Sequence, residues 1–194
     1  IQSTYNEYPP LVASMGANKG KFYWEMKISA TSSGSGDTEA LLGIVSTRAN
    51  STTQEIGHKS TDYGYYAYDG KYRNNDTSTA YGNTFGLNDI IGVAMDLDNN
   101  KLYFSKNGTW QNSGVPTSGS TGTGAISIAD PDTTEMGFYI PAVCVWSSGV
   151  NSTFQANFGN GYFGTTAVAS AGTNASNIGI FEYDVPSGYT ALCT

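Results

Sequence analysis

Cysteine and histidine are scarce in this sequence, and long apolar runs are missing. The 194 residues include two cysteines, Cys144 and Cys193, and one histidine, His58. Cys144 lies in the apolar run Ile140–Trp146 and Cys193 sits one residue from the end, so the pair reads as a core thiol and a tail thiol, not a disulfide framework. His58 stands in a polar Gly-His-Lys context and reads as a surface histidine. No G-x-S-x-G, C-x-x-C or H-E-x-x-H pattern accompanies it. Leu occurs only seven times and charged residues make up 13%, so the composition of a helical domain is missing. Net charge is −7 with a pI near 4.4, which excludes a general electrostatic grip on nucleic acid or anionic lipid. No apolar run approaches the ~18 residues of a membrane span, and no basic-then-apolar signal opens the sequence.

What is abundant is small and polar. Gly, Thr, Ser and Asn together supply 83 residues, and Tyr adds 14. That balance predicts β structure with many turns. The length suits one domain, 1–194, with a core that needs no disulfide staples. The chain opens at Ile1 and is read as a piece of a longer polypeptide. Five Asn-X-Ser/Thr sequons occur, at Asn50, Asn75, Asn107, Asn151 and Asn174. Chance alone gives roughly 3.5 at this composition, so they carry no argument for secretion.

Alternation dominates the pattern. Phe22, Trp24, Met26 and Ile28 share one face of a half-buried strand, with Lys21, Tyr23, Glu25 and Lys27 on the other. Leu41–Ser46 reads as a shorter buried strand. Ile91, Val93, Met95 and Leu97 form an inward row, after which Asp98-Asn99-Asn100 turns the chain into Lys101–Ser105. Phe138–Trp146 and Thr153–Phe158 are two further strands. Short strands separated by turn signals suggest an antiparallel sandwich, and no segment of helical period exceeds a turn or two. Asn112–Gly124 is expected to be a solvated loop, and Gly164–Gly179 an extended loop or a flat small-residue strand.

Candidate chemistry is sparse, and catalysis is not expected. A sandwich glycosidase needs facing carboxylates, but Glu182 and Asp184 lack a third acid, and Glu25 has no partner in the pattern. Asp96, Asp98 and Asn100 fit the hairpin, with Asp96 alternating out of the core. Asp130, Asp132 and Glu135 are weak calcium candidates, because calcium takes roughly six to eight oxygens and a solvated loop accounts for them as well. The surplus lies in aromatics. Tyr63, Tyr65, Tyr66, Tyr68 and Tyr72 crowd ten residues, and adjacent strand residues point to opposite sides, so some of these rings must lie at a surface or in a loop. Exposed Tyr and Trp suit recognition, and packing under a loop is the competing reading.

The order of motifs resembles the SPRY domain. Lys21-Phe22-Tyr23-Trp24-Glu25-Met26 is similar to that family's "yyWEv" strand and Gly43-Ile44-Val45-Ser46 to its "GvaS" strand. Tyr68-Asp69-Gly70-Lys71 and Tyr81–Phe85 resemble its middle segment, and Asp89–Leu97 through Tyr103–Gly108 its "DviGcgiDld…i.FtkNG" hairpin. Tyr139–Val143 and Asn157-Phe158-Gly159 match "lyPav" and "NFG", and Phe181–Leu192 resembles the closing "F.y.pP.Gf.AL" segment. On this reading core motifs span 20–163, an inserted small-residue segment 164–179, and a closing segment 180–194. The link from Asn112 to Gly137 is also longer than usual, and Tyr63–Tyr66 is richer in aromatics than the family pattern requires.

The resemblance implies an all-β antiparallel bent β-sandwich, of the concanavalin-like jelly-roll type, that binds through loops at one end. It implies a non-enzymatic module with no cofactor. In the SOCS-box adaptor branch a short peptide sits against a loop Tyr and a Val-Trp pair, which resemble Tyr68 and Val145-Trp146 here, with Thr47 a weaker match. Tyr65, from the tyrosine run, joins this candidate binding set. Trp146 also continues the inward row Ile140, Ala142, Cys144, so core and binding roles both stand open for it. The small polar surplus, low Lys and acidic balance resemble SPRY modules in virion proteins of tailed, particularly marine, bacteriophages. The expected setting is therefore a fibre, appendage or capsid decoration at a virion or extracellular surface, with virion subunits or a host surface protein as partners. Alternatives are a cytoplasmic adaptor binding a linear peptide and a lectin-like module binding glycan. Neither nucleic acid nor membrane insertion is expected.

Overall fold

The computed structural model describes residues 2–3 (backbone only), 10–32, 38–46, 54–146 and 151–192. Its strands are β1 (Gln2–Ser3), β2 (Leu11–Val12), β3 (Lys21–Thr31), β4 (Ala40–Val45), β5 (Tyr63–Tyr66), β6 (Lys71–Asn74), β7 (Thr77–Ala80) and β8 (Ile90–Asp96). They continue as β9 (Lys101–Lys106), β10 (Thr109–Trp110), β11 (Ile126–Ser127), β12 (Ile140–Val145), β13 (Ser152–Asn157), β14 (Tyr162–Phe163), β15 (Thr166–Ala167) and β16 (Thr190–Ala191). Helix among the described residues is confined to three 3₁₀ turns, at Gln111–Ser113, Pro116–Thr121 and Pro131–Thr133. One main sheet runs β1-β13-β3-β8-β9-β10, with β11 on β9 and β16 on β3; the other runs β2-β12-β4-β5-β6-β7. The pairings of β1 with β13, of β8 with β3 and β9, of β9 with β10 and β11, of β12 with β2 and β4, of β5 with β4 and β6, and of β6 with β7 are antiparallel, and β16 runs parallel to β3.

Two compact units are distinguished, Ile1–Asn18, Ile28–Asp89 and Ala129–Phe154 in the first, and Lys19–Lys27, Ile90–Ile128 and Gln155–Thr194 in the second. In the first unit, β4 and β5 meet at a glycine pair, Gly43 opposite Gly64. A Cβ on Gly43 would lie 1.9 Å from the Tyr63 carbonyl oxygen, and one on Gly64 would lie 2.9 Å from Ile56 Cγ2. The bare backbone at Gly64 therefore lets the segment carrying Ile56 lie flat on the sheet. There Ile56 joins Leu41, Val45, Tyr66, Ala142 and Cys144 in a small core, with Trp146 packed against it. Cys144 is buried in that core as expected, and burial pushes its thiol up to about 12. Cys193 lies outside the described residues.

The second unit is organised by a residue that reads as solvent-facing. Tyr23 and Glu25 sit on the face of β3 assigned to solvent, yet both are fully buried. The closing segment covers them: Tyr23 packs edge-on to Phe181 at 5.0 Å in a core with Ala94, Tyr103, Val185, Tyr189 and Ala191. Glu25 then accepts the backbone N–H groups of Glu182 and Tyr183, both at 2.9 Å, the Tyr23 hydroxyl at 3.1 Å and the Asn157 amide at 3.2 Å. Gly92, opposite Glu25, has no side chain in the space the Tyr23 hydroxyl needs. Asn157 is satisfied on every side, donating also to Ile180 O and accepting from Gly159 N and Gly161 N. Burial holds the Glu25 carboxyl above its ordinary range despite these four donors.

Asp96 corrects a second expectation. The hairpin of β8 and β9 forms as read, with Asn100 at φ 56, but Asp96 is buried, not turned out to water. It pairs with Lys21 Nζ at 2.8 Å and accepts Asp98 N, Asn99 N and the Asn99 amide. The segment Asn112–Gly124 is likewise tied down where a solvated loop was expected. Pro116 is buried, its carbonyl accepts the Tyr189 hydroxyl at 3.0 Å, and two 3₁₀ turns order the chain. Gly164–Gly179 is mostly exposed loop, crossed by the two-residue β15.

Replacing Glu25 with Ala strands two backbone donors, an amide and the Tyr23 hydroxyl in the interior. At about 1–3 kcal/mol per unpaired buried group, the expected loss is roughly 3–5 kcal/mol in denaturant unfolding. A raised folded-state pKa means that the folded chain keeps this proton to higher pH than the unfolded chain. Wild-type stability should therefore fall, relative to Glu25→Gln, as pH rises from the ordinary carboxyl range through the raised value, and level off above it. A difference independent of pH would contradict the assignment.

Candidate functional site

Alternation places Tyr66 on the face of β5 opposite to Tyr63 and Tyr65. Both faces are covered, so all three rings are buried, which corrects the place of Tyr65 in the binding set. Tyr65 is 0% exposed, packs on Phe85 at 4.8 Å and Tyr81 at 5.5 Å, and donates its hydroxyl to the Asn83 carbonyl. Val145 is also core, 1% exposed and opposite Ala40 on β4. Thr47 lies outside the described residues.

Tyr68 and Trp146 behave differently. Tyr68 is 52% exposed and Trp146 half-buried. Tyr66 bridges them, with ring centroids 6.0 Å from Tyr68 and 5.7 Å from Trp146, both at 40°. The fourth member is Arg73 on β6, which the sequence reading did not single out. Its register opposite Gly64 puts it on the Tyr66 face. Its guanidinium lies 3.8 Å from the Trp146 centroid and 4.5 Å from that of Tyr66. Such stacking contributes from about 0.5 to 2 kcal/mol as the cation loses water.

Hydrogen bonds fix this platform. Trp146 N donates to Glu39 O at 2.7 Å, and the Tyr66 hydroxyl donates to the Glu39 carboxylate. Burial first, and Glu39 second, raise the Tyr66 hydroxyl far above its ordinary value, so it stays protonated. Arg73 Nη1 donates to Ser78 Oγ at 2.8 Å, and Nη2 is 3.8 Å from Asp69 Oδ2. Arg73 Nε is buried without an acceptor among the described residues. A planar cation on two aromatic faces beside an exposed Tyr can stack on side chains and meet a carbonyl or carboxylate. The signal for Arg73 was available: it alternates with Tyr72 on a strand beside the tyrosine run. What it stacks on was not, because Trp146 is distant in sequence.

The acidic candidates do not build a site. Asp130 accepts Asp132 N at 3.0 Å as the cap of a 3₁₀ turn, and Asp132 and Glu135 do not converge with it on a shared point. In the second unit a polar cleft of about 400 Å³ is lined by Trp110, Gly172, Glu182, Tyr183 and Asp184. Its carboxylates hold the inserted segment instead: Glu182 accepts Ala169 N at 2.6 Å, and Asp184 accepts Thr173 N at 2.7 Å. Those Thr173 bonds keep the Asp184 carboxyl below its ordinary range.

An antiparallel β fold that presents an aromatic and cationic platform has the form of a recognition module. The chain belongs to the SPRY domain family: the SPRY domain model matches residues 21–161. That agrees with the all-β, antiparallel β-sandwich class read from the motif order, and SPRY domains are interaction modules. The chain is also similar to the ATP-dependent RNA helicase Ddx1 of Drosophila melanogaster, 30% identical over 141 residues, 73% of this chain and 16% of that protein. Ran-binding protein 9 of Xenopus tropicalis and of Homo sapiens are each 33% identical over 91 residues, 46% of this chain and 16% and 12% of theirs. The similarity thus spans at most 16% of these relatives' own length.

Two substitutions separate core from platform. Tyr65→Ala empties a fully buried site and should cost about 3–5 kcal/mol. Trp146→Ala removes a half-buried ring and one cation–π face and should cost about 1–3 kcal/mol. Equal losses in chemical denaturation would assign Trp146 to the core alone.

Proposed function

We propose that this chain is a protein-interaction domain that docks a linear segment of a protein partner on the platform of Tyr68, Tyr66, Trp146 and Arg73. The observation that carries the reading is the exposed Tyr68 ring beside a half-buried Trp146 already stacked on a cation. Rigid aromatic surface of this kind binds at low entropic cost, because the rings are held before the ligand arrives. Family membership supports it, as does the similarity to Ran-binding protein 9. On this reading residues 1–194 act as one SPRY-type domain. The virion or extracellular setting rests on composition and on a resemblance of the closing segment, and the relatives favour the peptide-binding adaptor, whose setting is the cytoplasm. The glycan-binding alternative is an outcome of the test below.

The test is selection of displayed random linear peptides on the immobilised domain, followed by affinity measurement of the enriched sequences. Tyr68→Ala should weaken binding by about 2 kcal/mol or more, with thermal stability unchanged because the ring is largely exposed. Enriched peptides that bind Tyr68→Ala as tightly as wild type would sink the proposal. So would a domain that selects no peptide and captures glycans on an array.

A further inference from the structure

The first unit holds a second constellation, distinct from the platform. The segment around His58 and the β6–β7 turn are stitched backbone to backbone. Asn75 and Asp76 both have positive φ, 51 and 57, the geometry of a tight two-residue hairpin turn. Their N–H groups donate to Lys59 O at 3.2 Å and Gly57 O at 3.1 Å. The Asn74 amide donates to Ser60 O and Asp62 O, both at 2.9 Å. Gly57, at φ +95, sits so close to β6 that a Cβ there would lie 2.6 Å from Arg73 Cβ. The one histidine of the sequence is thus held against Asp76, with Glu55 close by. Ligand atoms of Glu55, His58 and Asp76 all lie within 4.8 Å of one another. His58 Nδ1 is 2.6 Å from Asp76 Oδ1, and Nε2 is 2.5 Å from Gln54 Nε2.

We propose that Glu55, His58 and Asp76 form a binding site for a divalent first-row transition metal, of which Zn²⁺ is the representative. A neutral imidazole gives one proton, to one carboxylate, whereas a divalent cation meets both carboxylates and the ring together. One nitrogen with two carboxylate oxygens suits Zn²⁺, while Ca²⁺ and Mg²⁺ prefer all-oxygen shells with more ligands. At bond lengths of roughly 2.1 Å, tetrahedral ligand atoms stand about 3.4 Å apart, so the His58–Asp76 separation opens and Glu55 closes in. The coordinating nitrogen carries no proton: a protonated ring releases one to solvent as the metal enters, and a neutral ring transfers its own through solvent to the other ring nitrogen. Ile56, between Glu55 and Gly57, is in the core on which Trp146 packs. A bound metal therefore clamps the segment that covers that core.

The probe is Zn²⁺ alone, added to tag-free protein and followed by calorimetry and thermal unfolding. One Zn²⁺ per chain should bind and raise the unfolding temperature, and Ca²⁺ should not compete. His58→Gln and Asp76→Asn should each weaken binding by roughly ten- to a hundredfold. Because there is one histidine, its imidazole ¹⁵N resonances report coordination in the wild-type protein, whatever the variants do. Imidazole resonances unmoved at saturating Zn²⁺, Zn²⁺ affinity unchanged in both variants, or equal competition by Ca²⁺ would each overturn the site.

Discussion

Glu25 is the residue on which the second unit depends. A carboxylate removed from water is stable only when its oxygens are fully hydrogen-bonded. Here two of the four donors are backbone N–H groups of the closing segment, more than 150 residues away in sequence. The carboxylate therefore acts as a fixed receptor for the chain's own C-terminal region. Once Glu182 and Tyr183 are seated on it, Phe181, Val185 and Tyr189 fall onto Tyr23, and β16 lies parallel to β3. Asn157 transmits the same constraint to the Gly159–Gly161 turn. A bond network of this kind specifies one arrangement, because any other leaves a buried charge short of partners.

The first unit is governed by a steric constraint instead. Glycines at 43, 57 and 64 allow backbone and loop to lie closer to the sheet than any side chain permits. That closeness brings Ile56 into the core under Trp146 and holds His58 beside Asp76. The platform is thus built on a rigid base, with Tyr66 and Arg73 locked by packing and only Tyr68 largely open to water. Under the proposed docking role, the entropy of ordering the rings is lost in folding and not on binding.

Much of the fold was legible in the sequence. Turn chemistry gave the β8–β9 hairpin, and the apolar row Ile140–Trp146 gave β12 to within a few residues. Family motifs in series gave the class. The candidate platform was legible only by half. Tyr68 and Trp146 come together, but Tyr65 and Val145 do not, since each lies on a strand face that the pattern cannot show to be covered. Arg73 was missed because a charged residue on a short strand reads as solvated until its aromatic partners, from β5 and the end of β12, are brought to it.

The sequence by itself determined the period: which residues alternate, where the chain turns, and which strands can pair. Local rules suffice there, because φ preferences of Asn and Gly and the two-residue repeat of a strand act over a few bonds. Only the tertiary structure decided which faces stay wet. Tyr23, Glu25, Asp96 and Tyr65 all alternate or cluster as if some must meet solvent, yet all are buried: Tyr23 and Glu25 under the C-terminal region, Asp96 against Lys21, and Tyr65 under Tyr81 and Phe85. Burial is a property of what arrives later and from afar. A polar residue on a strand can be solvated or can be the anchor of a network, and the difference lies in donors that no local pattern contains.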